Sequence, residues 1–174
     1  MPETLILNYK DQRIQLADFR AQVDAIFFEA STRKEFKDQE EREAFNWKYL
    51  GFYLAHYPEY AWLALKEETV LGYVVGMPFS HDPSLYLLQP HLKAFASSFE
   101  KFPAHLHINC HPEARGLGVG KRLVLQLVEQ LKSEGVVGLH ILTGSSSDNR
   151  FFYEKLGFDS LRIEGSILLM GKTL

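Results

Sequence analysis

A glycine-rich stretch in the second half of the chain has the composition of an anion-binding loop. It runs Pro112-Glu-Ala-Arg-Gly-Leu-Gly-Val-Gly-Lys-Arg122, between a predicted strand and a predicted amphipathic helix. Glycines at alternate positions allow a tight turn and leave backbone N–H groups accessible. The first N–H groups of a helix have no acceptor within the helix, and the helix dipole favours an anion there. Lys121 and Arg122 add positive charge, so the stretch predicts a phosphate site.

Two common phosphate-binding motifs do not fit this loop. A P-loop requires glycine at the position of Arg115, and Ser or Thr at the position of Arg122. The dinucleotide fingerprint requires its third glycine one residue later than Gly120. The loop leaves two alternatives open. The chain could be a nucleotide-binding protein of another class, or the stretch could be a glycine-rich turn without a ligand.

Polar residues alternate along the predicted strand that precedes the loop, Ala104–His111. His105, His107, Asn109 and His111 are two residues apart, so their side chains share one face. An imidazole, with an unperturbed pKa of about 6.5, can take a proton from an ammonium group. His107 and His105 are therefore candidate general bases. The alternatives are that they are core histidines with hydrogen-bond partners, or that ordered water acts as the base.

Metal binding is a weaker interpretation of the same strand. Cys110 points to the face opposite His105 and His107, so one strand cannot gather these side chains around one ion. No Cys-x-x-Cys or His-Glu-x-x-His motif accompanies them. We therefore predict no metal site.

Composition narrows the class of protein. The 174 residues are 46% hydrophobic and 24% charged, which is typical of a globular protein that buries a core. The net charge of -3 argues against a nucleic-acid partner. A single cysteine, no signal-peptide pattern and no apolar run of about 20 residues predict a cytoplasmic protein without a membrane segment.

Hydrophobic periodicity predicts the elements that position these residues. The predicted strands are Thr4–Tyr9, Ala61–Lys66, Val70–Met77, Ala104–His111, Val136–Leu142, Phe158–Ile163 and Ser166–Met170. The predicted helices are about Leu16–Ala30, Trp47–Pro58, Gly118–Glu134 and Ser147–Leu156, with a short helix along Leu88, Leu92, Phe95 and Phe99. The charged stretch 31–43 predicts a solvated surface. Strands separated by helices in the second half predict a mixed α/β sheet with helices on both faces.

The loop resembles the pyrophosphate loop of the GNAT superfamily of N-acyltransferases. That loop has Arg or Gln, two residues, Gly, one residue, then Gly or Ala, and Arg115, Gly118 and Gly120 match it. Phe152-Tyr-Glu-Lys-Leu-Gly-Phe158 resembles the late helix-to-strand segment of the family, and Gly72-Tyr-Val-Val-Gly76 resembles its third strand. The segment Phe102-Pro-Ala-His-Leu-His-Ile108, the insert before it and the Trp47–Pro58 helix together resemble one branch, the acetyltransferase-like C-terminal domain of O-GlcNAc hydrolases and its free-standing relatives.

The resemblance implies a fold and a donor substrate. The fold would be a single α/β domain over residues 1–174, with a mixed, mostly antiparallel sheet of about seven strands and a splayed parallel pair. The donor would be acetyl-CoA, its pantetheine arm lying along the strand before the loop. The implied cofactor-binding residues are Ile108, Cys110, Arg115, Gly116, Leu117, Gly118, Val119, Gly120, Lys121, Ser146 and Phe152.

The resemblance also implies roles in catalysis. The backbone N–H of Cys110 would stabilise the oxyanion, and Tyr153 would give a proton to the departing thiolate. The alternative for Tyr153 is a core aromatic that packs on Phe152 and Leu156. The family usually has Asn where this chain has Ser146, which we expect to cap the helix and still contact CoA. Cys110 replaces a small apolar residue, so direct transfer without an acyl-enzyme is implied.

These expectations give one leading function and one rival. The leading function is an N-acetyltransferase that acts on an unidentified primary amine of a small molecule or protein. The rival is a non-catalytic acyl-CoA-binding or protein-interaction domain. Tyr53, His56, Tyr57 and Tyr60, with the insert Ser80–Phe102, could line the acceptor pocket, and the chain could form a homodimer.

Overall fold

The structure is a computed structural model that describes residues 3–15 and 19–174 of the chain. The chain forms two compact units, each built from two separate stretches of sequence. The first unit is Met1–Gly76 with His107–Leu127, and the second is Met77–Leu106 with Val128–Leu174. The expected single domain over residues 1–174 stays a prediction.

The first unit begins with a short strand and two helices. Strand β1 spans Leu5–Asn8, and helices α1 and α2 span Gln12–Gln15 and Arg20–Ala30. The predicted start of α2 at Leu16 lies outside the described residues. α2 buries the apolar positions whose spacing predicted it, Val23, Ile26 and Phe27.

A second helical stretch changes its hydrogen-bonding pattern along its length. Helix α3 spans Gln39–Asn46, a π-helical turn spans Trp47–Gly51, and α4 spans Phe52–His56. The predicted helix began at Trp47, so α3 was missed. Half of its eight residues are exposed and it lacks an apolar stripe, and the side chain of Asp38 caps it by accepting from the N–H of Glu41 at 2.9 Å.

A hairpin follows, as predicted. β2 (Trp62–Lys66) pairs antiparallel with both β1 and β3 (Thr69–Met77). Its tight turn holds Glu67 at a φ of 54°, in the left-handed region. β3 is almost entirely buried after its first residue, which explains its unbroken apolar sequence.

The segment between β3 and the polar strand contains α5 (Pro83–Leu88) and a 3-10 helix, Pro90–Ser98. The short helix predicted there is therefore 3-10 rather than α-helical over most of its length, although Leu92, Phe95 and Phe99 are buried as expected. Strand β4 spans Ala104–Cys110 and helix α6 spans Val119–Ser133.

The remaining elements are β5 (Gly138–Gly144), α7 (Asn149–Glu154), β6 (Asp159–Glu164) and β7 (Ile167–Thr173). β5 begins two residues later than predicted because Val136 takes part in the C-terminal cap of α6. Its N–H donates to the carbonyl of Leu131 and that of Gly135 donates to Lys132, with Gly135 at a φ of 78°. These bonds form a Schellman cap.

Strand pairing confirms the predicted fold class. β4 pairs in parallel with β5 where Ala104 lies beside Leu139 and His105 beside His140. β7 pairs antiparallel with β5 and with β6. The seven strands have the order β1-β2-β3-β4-β5-β7-β6, a mixed and mostly antiparallel sheet. The expected divergence of β4 and β5 beyond these pairs stays a prediction.

Candidate functional site

His107 lies in the first unit, against two tyrosines of the helical stretch that precedes β2. The hydroxyl oxygen of Tyr53 is 3.1 Å from Nε2 of His107. The rings of Tyr53 and Tyr49 meet the imidazole close to edge-on, with centroids 5.1 Å and 5.9 Å away. Tyr53 is fully buried, whereas His107 is half-buried. The imidazole is therefore held on one side while part of it reaches the surface, as proton exchange with a bound molecule requires.

The other polar residues on this face also have partners. Nδ2 of Asn109 donates to the hydroxyl of Tyr73 at 2.7 Å, and burial raises the pKa of Tyr73, so this phenol stays protonated. Nδ1 of His111 accepts from the N–H of Glu113 at 3.3 Å. The proton of the neutral His111 ring therefore lies on Nε2, which is 3.8 Å from the carboxylate of Glu29.

The glycine-rich loop is anchored at both ends and exposed between them. Ala114 closes a 3-10 turn and is buried, as is Val119, while the four residues between them are exposed. Gly116 and Gly118 have φ values of 76° and 72°. A Cβ atom at either position would meet nothing within 4 Å. The loop therefore requires glycine for its backbone conformation rather than for space.

Helix α6 begins directly after Gly118. The N–H of Arg122 donates to the carbonyl of Gly118 at 3.1 Å, which makes Gly118 the N-cap. The N–H groups of Val119, Gly120 and Lys121 therefore lie in the first turn, where the helix supplies no acceptor. A glycine-capped, 15-residue helix of this kind presents donors and a positive dipole end to an anion.

The basic side chains of the loop have different environments. Arg115 and Lys121 are exposed next to the N-terminus of α6. The guanidinium of Arg122 instead donates to the carbonyl of Thr4 at 2.9 Å, ahead of β1. Leu117 is 61% exposed, so it is not held in the core. The side-chain cations best placed to meet an anion are therefore Arg115 and Lys121.

Ile108 and Cys110 are half-buried on β4. Cys110 lies close to β3, where a Cβ atom on Gly72 would be 2.9 Å from its Sγ. Burial raises the pKa of the Cys110 thiol to about 11. The thiol is therefore protonated at neutral pH and is a poor nucleophile.

In the second unit, His105 is a buried residue with a side-chain partner. Its Nδ1 is 2.7 Å from Oγ of Ser80, and this hydroxyl donates to the carbonyl of Pro103 at 2.8 Å. A hydroxyl has one proton to donate, so Nδ1 of His105 carries the proton of that contact. His105 is only 4% exposed, which favours the interpretation of a core histidine over that of a base.

His140 is the second buried histidine of this unit. Its Nδ1 donates to the carbonyl of Phe102 at 2.6 Å, and its ring stacks on Phe99 at a centroid distance of 4.5 Å. Nε2 is buried and has no hydrogen-bond partner among the described residues. Burial lowers the pKa of His140 to about 4, so the ring is neutral at physiological pH.

The motif around Tyr153 lies at the end of α7. Tyr153 is half-buried and meets the rings of Phe152 and Phe158 at 5.1 Å and 5.6 Å. Ser146 is exposed, and the N-cap position of α7 is Asp148, whose side chain makes no capping hydrogen bond. Oγ of Ser147 accepts from the N–H of Asn149 at 3.2 Å. The capping role predicted for Ser146 is therefore wrong, because the helix begins at Asn149 and Ser147 lies two residues before it.

The hydrogen-bond partners of His105, His107 and Asn109 were not predicted from the sequence. Nothing in local spacing connects Ser80 with His105, which lies 25 residues away. The sequence does carry a signal for Tyr73, because a tyrosine within a buried strand needs a partner for its hydroxyl. Across the described ranges, no group of three or more His, Cys, Asp or Glu side chains is arranged to hold a metal ion. Nor is any described helix long and apolar enough to cross a membrane.

Comparison with known proteins gives partial sequence matches. A segment of 52 residues is 42% identical to the [ribosomal protein bS18]-alanine N-acetyltransferase of Haemophilus influenzae. The segment is 30% of this chain and 36% of that enzyme, so the match spans about a third of the relative's length.

Solved structures resemble the chain over nearly its whole length. SsHAT has a TM-score of 0.80 at 22% identity, covering 99% of this chain and 98% of that one. PH1933 of Pyrococcus horikoshii has a TM-score of 0.75 at 15% identity, covering 99% of both chains. The PaiA N-acetyltransferase of Thermoplasma acidophilum, solved with coenzyme A, has a TM-score of 0.63 at 17% identity and covers 99% of both chains.

At these identities the structural likeness establishes the fold alone. The sequence model of the acetyltransferase (GNAT) family matches residues 20–158, well over half of the chain. That stretch contains both the glycine-rich loop and the segment around Tyr153. The chain therefore belongs to the acetyltransferase (GNAT) family.

Proposed function

We propose that this protein transfers an acetyl group from acetyl-CoA to a primary amine by direct transfer. The observation that carries the proposal is the loop before α6, where Gly116 and Gly118 adopt left-handed conformations directly before the first turn of a 15-residue helix. Backbone donors of this kind suit a pyrophosphate, because they point at the anion without intervening side chains.

The proposed donor site extends from this loop. Arg115–Lys121 would bind the pyrophosphate of CoA, with charge from Arg115 and Lys121. Main-chain groups of Ile108 and Cys110 would bind the pantetheine arm as an added strand would. Ser146 and Phe152 would make further contacts with CoA, an assignment that rests on the family motif.

The proposed chemistry forms a C–N bond and breaks a C–S bond. His107 takes a proton from the acceptor ammonium, directly or through water, and the free amine attacks the thioester carbonyl. The backbone N–H of Cys110 stabilises the oxyanion of the tetrahedral intermediate. As the intermediate collapses, Tyr153 donates its proton to the leaving thiolate, and the nitrogen of the new amide loses a proton that returns through water to the Tyr153 phenolate, giving CoA and an N-acetyl product. His105, which is buried against Ser80, is the weaker candidate for the base.

The acceptor is proposed as a class only. One relative is named as an alanine N-acetyltransferase of a ribosomal protein, and one solved neighbour as a polyamine N-acetyltransferase from Drosophila melanogaster. Protein N-terminal amines and polyamines are therefore the first acceptors to examine. The narrower resemblance to the C-terminal domain of O-GlcNAc hydrolases, the cytoplasmic location and a homodimer stay predictions.

Calorimetric titration with acetyl-CoA is the first test. We expect saturable binding, and the absence of binding would contradict the proposed donor. Thiol release should then be measured with an alanine-initiated peptide, spermidine and a panel of small primary amines. Thiol release should depend on the amine and yield one acetylated product by mass.

A substitution at Tyr153 tests the chemistry. We expect Tyr153→Phe to lower kcat by roughly a hundredfold, as loss of a general acid does, while acetyl-CoA still binds. Tyr9→Phe is the matched control, because Tyr9 directly follows β1 and belongs neither to the proposed donor site nor to the expected acceptor pocket. Equal activity in the two variants would contradict the role of Tyr153. Binding of acetyl-CoA without turnover of any amine would favour a non-catalytic acyl-CoA-binding domain.

A further inference from the structure

We infer that Tyr53 is a positioning residue: its hydroxyl holds His107 at Nε2 and thereby fixes the orientation and basicity of the imidazole. The catalytic meaning of this contact rests on the proposed role of His107 as the base. Nothing in the sequence pairs the two residues, which are 54 positions apart.

The contact is specific in its atoms. Oη of Tyr53 lies 3.1 Å from Nε2, a distance within hydrogen-bonding range. Tyr53 is fully buried, and a buried phenol needs a polar partner for its hydroxyl. Its ring is fixed in turn by Phe52, which meets it edge-on at 5.6 Å. Because Tyr53 is itself fixed by packing, it can fix the orientation of the His107 ring.

The helical stretch that carries Tyr53 has the irregularity expected near a functional group. The π-helical turn Trp47–Gly51 directly precedes α4, and π-helical turns occur frequently at functional sites. A Cβ atom on Gly51 would lie 2.9 Å from the ring of Trp47, so glycine allows this packing. Tyr49 and Tyr53, one from each segment, both contact the same imidazole.

The hydrogen bond has a required direction once His107 has taken a proton. Both nitrogens of an imidazolium are donors, so Nε2 must donate and the Tyr53 oxygen must accept. The bond therefore stabilises the protonated ring and makes His107 a stronger base. Helix α2 supplies two carboxylates to this unit. Asp24 acts electrostatically on Tyr73, and Glu29 faces His111. Both are unchanged in the variants used to test the effect of Tyr53 on the pKa of His107.

The first experiment tests the contact between Tyr53 and His107 without an activity assay. The His107 imidazole is titrated by ¹⁵N NMR in the wild type, in Tyr53→Phe and in Tyr49→Phe. We expect Tyr53→Phe to lower the pKa of His107 by roughly half to one unit, the effect of losing one hydrogen bond to the charged form. Tyr49→Phe removes the hydroxyl of the other tyrosine that contacts the imidazole and should leave the pKa of His107 unchanged. An unchanged or raised pKa in Tyr53→Phe would overturn the inference.

The second experiment measures the consequence, using the amine that the wild type acetylates fastest. Tyr53→Phe should move the acidic limb of the kcat/KM profile to lower pH by the same half to one unit and lower kcat roughly three- to tenfold. KM for the amine should change less than about twofold. In a His107→Gln background the same substitution should have no further effect on kcat.

Failure of the proposed function and failure of the inference about Tyr53 give different results. If the wild type acetylates no amine, the proposed function fails and the NMR titration alone decides the inference. If the wild type is active and His107→Gln impairs it, equal losses from Tyr53→Phe in both backgrounds would show that Tyr53 acts elsewhere. Circular dichroism and thermal unfolding of each variant separate these results from misfolding.

Discussion

Gly72 and Cys110 lie so close on neighbouring strands that Gly72 has no room for a side chain. A Cβ atom on Gly72 would be 2.9 Å from Sγ of Cys110, 3.0 Å from the carbonyl oxygen of Asn109 and 3.2 Å from Cα of Cys110. Two of these three atoms belong to the backbone of β4. The spacing of β3 and β4 therefore depends on glycine at this position, beside the N–H proposed to stabilise the oxyanion.

Gly72→Ala should destabilise the protein and reduce turnover. The added methyl group must push β4 away, because backbone atoms cannot rotate aside as a flexible side chain can. Overpacking of this kind costs about 1–3 kcal/mol, which urea denaturation can measure. A displaced Cys110 N–H should also lower kcat more than it weakens binding of acetyl-CoA.

Gly144→Ala is the matched control for this substitution. Gly144 also lies in a strand, and its Cβ would meet Ser147 at 3.6 Å, an ordinary contact. Equal stability of the two variants would mean that the spacing of β3 and β4 is not constrained by Gly72.

Gly118→Ala should weaken binding of CoA through the backbone alone. Its φ of 72° is unfavourable for alanine by roughly 1–2 kcal/mol, and nothing lies within 4 Å of the added methyl group. Calorimetry should show CoA binding reduced by roughly five- to thirtyfold if the loop changes conformation to relieve this strain. Gly118→Asn, which tolerates the left-handed region better, should lose less. Wild-type affinity in Gly118→Ala would contradict the predicted use of this loop.

Acid should destabilise the folded protein through His140. Its pKa lies near 6.5 in the unfolded chain and is lowered to about 4 by burial. The folded state therefore binds fewer protons, so the stabilisation is complete above about pH 6.5 and is lost as the pH falls towards 4. The loss should approach roughly 1.4 kcal/mol per pH unit within that window.

Urea denaturation between pH 7.5 and 4.5 measures this dependence. His140→Gln cannot titrate, yet it keeps a side-chain N–H for the Phe102 carbonyl. The variant is expected to be less stable at pH 7.5 but to lose stability more slowly as the pH falls. Parallel curves for wild type and variant would assign the acid sensitivity to other groups.

Cys110 should react slowly with alkylating reagents. Its pKa of about 11 leaves roughly a hundredfold less thiolate at pH 8 than an ordinary thiol has. Iodoacetamide should therefore modify the native protein far more slowly than the urea-unfolded chain, by mass spectrometry. Comparable rates in the two states would show that the thiol is accessible and ionised. Slow reaction would also keep Cys110 from interfering with a thiol-release assay.

Features with a local cause were predictable from the sequence. The glycine spacing placed the loop and the start of α6 within one residue, because an N-cap and a left-handed turn are set by neighbouring residues. Because successive side chains of a strand point to opposite faces, the sequence also predicted that His107 and Cys110 lie on opposite faces of β4. Helix α3 was missed because its stabilising feature is the Asp38 cap rather than an apolar stripe.

Features that depend on distant partners were not predictable. His105 and His107 have the same spacing and residue type, yet Ser80 binds one and Tyr53 holds the other. Their difference in burial comes from the segments packed against them, 25 and 54 residues away. Periodicity identifies the face of a strand, whereas the partner on that face is decided by the tertiary fold.

Strand β4 is made later than its sheet neighbour β3 during synthesis, because residues 78–103 lie between the two strands in the sequence. The nascent hairpin β2–β3 must therefore wait for β4 with an open edge, a state that favours aggregation.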